Sequence, residues 1–241
     1  MPVAGRWAAA LALICLTACA TLWSAASHAG HAQDFLVTDS GYLSGADQLY
    51  LISPFEARYR SRGRSGADWD PGVRYGLTEW LTLGLQSETG KQRSEDWTYD
   101  GTRAMAQVRL TPRPMRLALG TRLDYVHPRR SSDDGRWQLR NIVSYRADEW
   151  IYSANLDYSR DTRSDYDDQW GYALALKGQV SPRVAYGMEL RGTIERGSTL
   201  EGLFGAYIDP DPKLSVHVGL GSGIVRGPGL IFRTEVIVRL R

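Results

Sequence analysis

The sequence predicts an all-β protein, an up-and-down antiparallel transmembrane β-barrel of about twelve strands. Three observations predict it. Runs of strand length alternate apolar and charged residues with a period of two, the connections between them alternate short and long, and Trp and Tyr gather at the run ends. The 241 residues are enough for one sizeable domain or one barrel, and the mean hydropathy is −0.35.

Residues 1–32 read as an export signal. Arg6 supplies the positive start, Ala8 to Thr17 the apolar stretch, and Gly30 and Ala32 the small residues before a cleavage site. The apolar stretch is short of the ~20 residues that a helical span needs. The LTAC run at 16–19 offers a second processing route, with Cys19 as an acylated residue, and both cleavage after Ala32 and lipidation at Cys19 stay open. Cleavage after Ala32 removes Arg6 and no acid, leaving 28 basic against 27 acidic residues. Near-neutrality argues against nucleic acid as a partner. Nearly all the positive charge is arginine, the lysines being Lys91, Lys177 and Lys213.

Residues 33–48 are expected to form a periplasmic arm, and 49–241 the barrel. The expected strands are about 49–60, 71–77, 80–88, 103–111, 115–126, 136–146, 150–160, 169–180, 184–195, 200–208, 213–222 and 230–241. The first is interrupted by Pro54, a residue at home on edges and at bulges. Tight turns fall at 77–80, 111–114, 146–149, 181–183 and 209–212. Longer polar connectors fall between them, such as SRGRSGADWD at 61–70 and TGKQRSEDWTYDG at 89–101. Soluble sandwiches mix their connection lengths and add Greek-key crossings. An even strand number puts both termini on the tight-turn side, taken as periplasmic.

Parity assigns the faces. Ala104, Ala106, Val108 and Leu110 oppose Arg103, Met105, Gln107 and Arg109, and Leu117, Leu119 and Leu123 oppose Arg116, Arg122 and Asp124. Leu81, Leu83 and Leu85 share a face, and Phe232, Val236 and Val238 oppose Arg233, Glu235 and Arg239. A strand sends successive side chains to opposite sides, so the apolar rows are expected against lipid and the charged rows in a polar lumen. Trp137, Trp170, Tyr125 and Tyr158 lie toward the long loops, and Tyr145 and Trp150 beside a tight turn, as interfacial girdles require.

The candidate residues for the lumen and solute path are Arg103, Arg109, Arg116, Arg122, Arg140, Arg191, Arg233, Arg239, Glu189 and Glu235. Glu56, Arg58, Arg60, Arg74, Asp124, Asp157, Lys177 and Glu201 share the same parity. Two readings of them stand side by side. A basic strip draws anions in, or the same arginines pair with acids and fill a narrow lumen. Enzymatic readings are weaker. Ser215 and His217 share the lumen face without a placed acid, His127 lies in a charged loop with Asp133 and Asp134, and DYDD at 165–168 lacks calcium-loop spacing. No catalytic residue, metal site or cofactor is assigned.

VRYGLTEWLTLGLQSE at 73–88 resembles the repeated hairpin unit of outer-membrane proteins of the phenol-degradation meta-pathway transporter type. The tail GLFGAYIDPDPKLSVHVGLGSGI followed by IFRTEVIVRLR is similar to that group's closing hairpins. The last strand also looks like one read by an outer-membrane assembly machine, although it ends in Leu240 and Arg241 where an aromatic is usual. The resemblance implies passage of small organic compounds across the outer membrane. The charged lumen looks more like small anion-selective porins for acidic oligosaccharides. The expected function is therefore an outer-membrane channel for passive passage of small polar or anionic organic solutes. Lipid, solute and assembly machinery are the partners. A closed structural or assembly barrel, plugged by charge pairs and the QDFLVTDSGYLSGADQ arm, is the first alternative. A barrel enzyme acting on lipid or surface material is the second.

Overall fold

The computed structural model describes residues 34–60, 65–92, 96–113, 115–130, 134–162, 168–195 and 197–241. The export signal, Cys19, Asp133 and most of DYDD lie outside the described residues. Thirteen strand segments follow in chain order: β1 (Leu49–Tyr59), β2 (Gly66–Trp69), β3 (Gly72–Gly76), β4 (Leu81–Gln92), β5 (Thr98–Arg109), β6 (Leu117–Pro128), β7 (Arg136–Ala147), β8 (Trp150–Asp161), β9 (Gln169–Ser181), β10 (Val184–Thr193), β11 (Leu200–Asp211), β12 (Leu214–Val225) and β13 (Leu230–Arg239).

Consecutive strands pair antiparallel, and β13 closes onto β1 from Tyr50↔Arg239 to Tyr59↔Leu230. β2 and β3 keep one register against both β1 and β4, so they are two halves of a single barrel strand and the closed barrel has twelve strands. The break falls at Asp70 and Pro71, where proline has no N–H to donate to the ladder. Asp70 N still donates to the Pro54 carbonyl at 3.1 Å, and the Pro71 carbonyl accepts from Ser87 N at 2.8 Å. The segment 61–70, expected as a loop, thus contains β2. Its Ser, Gly and Arg composition hides a strand whose pairing comes entirely from its neighbours. The other expected strands stand within a few residues of their predicted ends.

Both faces follow parity. Leu83, Leu85, Leu123, Val143, Leu174 and Phe204 are exposed on the outside, a surface suited to acyl chains rather than water. Met105, Gln107, Arg109, Arg122, Asp124, Glu189 and Glu235 are buried on the inside. Around the long-loop rim Tyr125 stacks near Trp137, with ring centroids 4.5 Å apart, and Tyr158 near Trp170 at 5.1 Å. Trp80, Tyr145 and Trp150 stand exposed near the opposite rim. Closure leaves no unpaired backbone edge, which is what permits a sheet to cross hydrocarbon.

The lumen is where the arm goes. The segment 33–48 was expected as a periplasmic arm or, in the plugged-barrel alternative, as filling for the lumen. Its described residues, 34–48, turn inward, because their polar backbone and two carboxylates find partners on the inner wall. From Gln48 at the tight-turn rim the chain rises past Tyr42 to Asp39 at mid-barrel. It then descends to Phe35 and Asp34 near Lys177. Phe35 and Leu36 are fully buried with Ala175 and Tyr207, and Val37, Ile151 and Ala185 pack around them. Leu36 fits only because the facing wall is bare. A Cβ on Gly219 would come within 2.5 Å of Leu36 Cδ1, and one on Gly205 within 2.9 Å.

Candidate functional site

Glu189 of β10 anchors the descending limb. Its Oε1 accepts from Leu36 N at 2.6 Å and from the Tyr207 hydroxyl at 2.8 Å, and its Oε2 accepts from Val37 N at 2.9 Å and Thr38 N at 2.8 Å. One carboxylate therefore satisfies three successive amides that would otherwise be buried without acceptors. Asp34 completes the limb, its Oδ1 3.3 Å from Lys177 Nζ.

Asp39 anchors the apex. Arg122 Nη1 lies 3.0 Å from each Asp39 carboxylate oxygen, and Arg140 Nη1 also donates to Oδ2. Each of these arginines is held from behind by a carboxylate of the barrel wall. Asp124 accepts from Arg122 Nε and Nη2 at 2.7–3.0 Å, and Asp157 accepts from Arg140 Nε at 2.5 Å and Nη2 at 2.9 Å. With its amide turned to satisfy both groups, Asn155 holds the Asp39 backbone, and Ser153 Oγ donates to the Asp39 carbonyl at 2.7 Å. Near the tight-turn rim, the Arg109 and Arg146 guanidiniums lie over the Tyr42 ring, and Arg113 Nη2 donates to the Leu43 and Ser44 carbonyls.

Burial raises the Asp39 carboxyl, but the Arg122, Arg140 and Arg74 guanidiniums reverse this and hold it well below its ordinary value of 3.8. A depressed carboxyl contributes its stabilisation above the unfolded value and loses it only as pH falls through the folded one. The Asp39 contacts are thus expected to survive acidification from pH 7 to about pH 4.5. Protease protection of residues 34–48 in purified protein should be the same at both ends of that range.

Above the arm lies a cavity of about 500 Å³ at the long-loop end, floored by Val37 and Asp39. Among the described residues eight arginines and five carboxylates line it. On one wall Glu56 of β1 gathers three guanidiniums. Arg58 Nε at 2.5 Å and Arg191 Nη2 at 2.8 Å donate to Oε1, and Arg233 Nη1 at 2.8 Å donates to Oε2. Arg191 Nε also donates to Glu201 at 2.6 Å, and across the basin Arg103 Nε donates to Glu88 at 2.9 Å.

The expected site residues divide accordingly. Arg103, Arg122, Arg140, Arg191, Arg233 and Glu235 line the cavity. Glu189 faces inward but is spent on the arm. Arg109 is buried at the tight-turn end, donating to the Thr111 and Pro112 carbonyls at 2.9 and 3.2 Å. Arg239 pairs across the seam with Tyr50, away from the basin. Arg116 is displaced from the lumen altogether. It precedes β6 at the turn, its side chain is 66% exposed, and it reaches Asp148 of the neighbouring turn at 3.5 Å. Parity fails there because the strand has not yet begun.

The acid missing beside His217 is Glu235, whose Oε2 is 3.2 Å from His217 Nδ1. His217 is 1% exposed, buried against Tyr207 on the inner wall while the arm is docked. His127 is an exposed residue at the end of β6. Among the described residues no group of three or more His, Cys, Asp or Glu is arranged to hold a metal ion. Asp39 was absent from the expected lumen charges, whereas parity had placed Glu56 among them without marking it as the node of three arginines. The signal for Asp39 was a carboxylate in an arm facing a barrel whose inner rows carry glycine at 205 and 219.

No protein-family model matches the sequence, and no curated protein is significantly similar to it. Solved structures do match. An outer membrane channel from Pseudomonas putida F1 superposes with a TM-score of 0.64 at 13% identity, over 83% of this chain and 97% of that one. The KdgM porin in complex with disordered oligogalacturonate gives 0.62 at 10% identity, over 80% and 99%. The NanC porin gives 0.55 at 8% identity, over 80% and 99%. At these identities the likeness is one of fold.

Proposed function

We propose that the protein is an outer-membrane channel that admits small anionic or polar organic solutes from the long-loop end. The observation that supports this reading best is the basin above the arm, where eight arginines reach the lining while Glu56, Glu88 and Asp124, which pair with five of them, stand behind it. Guanidiniums set ahead of their acids raise the local concentration of anions at the basin surface and lower that of cations. The porin-like fold neighbours agree with a conducting role, and one of them carries an acidic oligosaccharide. The resemblance to phenol-pathway transporters suggests a less polar solute, which the charged basin suits poorly.

One observation favours the alternative of a closed barrel, namely the arm that fills the tight-turn half of the lumen. The same experiment separates the two. In planar bilayers under a KCl gradient, protein whose arm has been loosened is expected to pass chloride in preference to potassium. Replacing Arg103, Arg191 and Arg233 together by alanine should remove that preference. Preference for potassium would reject the anion reading. A folded barrel that stays non-conducting with the arm loosened would favour the closed one.

A further inference from the structure

We propose that the two inward Nη1 groups of Arg122 and Arg140 form a carboxylate-binding site for the solute, and that Asp39 is a tethered occupant of it. The proposal rests on the channel reading. Three observations carry it. First, the site is built without the arm. Asp124 and Asp157 each clamp two donors of one guanidinium, so both forks keep their orientation whether or not Asp39 is present. Second, the donors left over, one Nη1 from each arginine, converge on a single carboxylate, and the one they hold belongs to a segment outside the barrel sheet. Third, Asp39, Arg122 and Arg140 line the basin floor, where a solute entering from the long loops arrives.

A withdrawn arm exposes two oriented guanidinium donors whose positive charge Asp39 no longer offsets. A monocarboxylate or uronic acid supplies the matching group, and a neutral sugar does not. Solute and arm then compete for the same donors, so binding of the carboxylate favours withdrawal of Asp39. Occupancy by the arm weakens apparent solute affinity by the fraction of time the site is free.

The test uses full-length protein in detergent and in bilayers, with glucuronate as probe and glucose as the neutral control. Asp39→Asn removes the tethered charge and keeps Arg122 and Arg140 in place. It is expected to bind glucuronate about tenfold or more tightly than wild type, with glucose unbound in both. Wild-type conductance is expected to rise and saturate with glucuronate, and Asp39→Asn is expected to reach the same conductance at lower glucuronate. Glu189→Gln loosens the arm without touching the site and serves if Asp39→Asn does not fold. It should also bind glucuronate more tightly. Equal or weaker glucuronate binding in a conducting variant overturns the carboxylate site and leaves the channel standing. Equal response to glucose overturns it too. A folded Asp39→Asn, Glu189→Gln double variant that never conducts, with or without glucuronate, overturns both.

Discussion

Glu189→Ala is expected to release the arm from the lumen. The carboxylate accepts three backbone N–H groups and the Tyr207 hydroxyl, all within 2.9 Å. Hydrogen bonds to a charged acceptor contribute about 1.5–3 kcal/mol each. They are not additive, and water entering the vacated space satisfies some donors, so a net loss on the order of 3–5 kcal/mol is reasonable. That shifts the docked-to-free ratio by more than about a hundredfold. The barrel itself should survive, because its strand pairing does not depend on residue 189's side chain. The readout is protease cleavage within 34–48, rapid in the variant and slow in wild type, with unchanged heat-modifiable migration of the barrel. An arm equally protected in both would show that Asp39 and the Phe35 cluster hold it alone.

The arm also marks where sequence reasoning stopped short, since it offered the lumen only as an alternative place for the arm and named none of its contacts. Strands were legible because a half-buried strand writes its environment into every second residue. Leu83 and Leu85, or Arg233 and Glu235, declare their faces with no knowledge of the partner strand. β2 was not legible. From Gly66 to Trp69 the apolar row is only Ala67 and Trp69 about Asp68, too short to read as a strand without its pairing to β1 and β4. Arg116 was misplaced because alternation was extended one residue past the strand start. The arm's position depends on contacts that no local pattern encodes. Leu36 meets Glu189 across 153 residues, and Asp39 meets Arg122 across 83. What the sequence did carry was compositional. The arm has acids to spend, and the inner wall has both bases and glycines to receive it. The inventory of lumen charges was therefore largely right, while the division between those that hold the plug and those that face the basin required geometry.

That division gives Glu56 its weight. Glu56→Gln is expected to lower barrel stability and raise anion preference together, and the pairing of the two effects is informative. Glu56 is 4% exposed and is shared by Arg58, Arg191 and Arg233. Removing one partner of a buried ion pair costs about 3–5 kcal/mol, because the remaining charges keep their desolvation penalty without its compensation. Here Glu201 still holds Arg191 at 2.6 Å and Asp68 still holds Arg58 at 3.1 Å, so the lower end of that range applies. The expected readout is a lower unfolding midpoint in urea, with the barrel still assembled. A node whose only task is to fill the lumen would show that loss and nothing more. In a solute path the same substitution leaves three guanidiniums facing the basin with one less opposing charge. The chloride preference of arm-loosened protein should then increase, and the increase should fade at high salt as screening shortens the reach of each charge. Destabilisation with unchanged selectivity would assign Glu56 and its arginines to the wall rather than to the path.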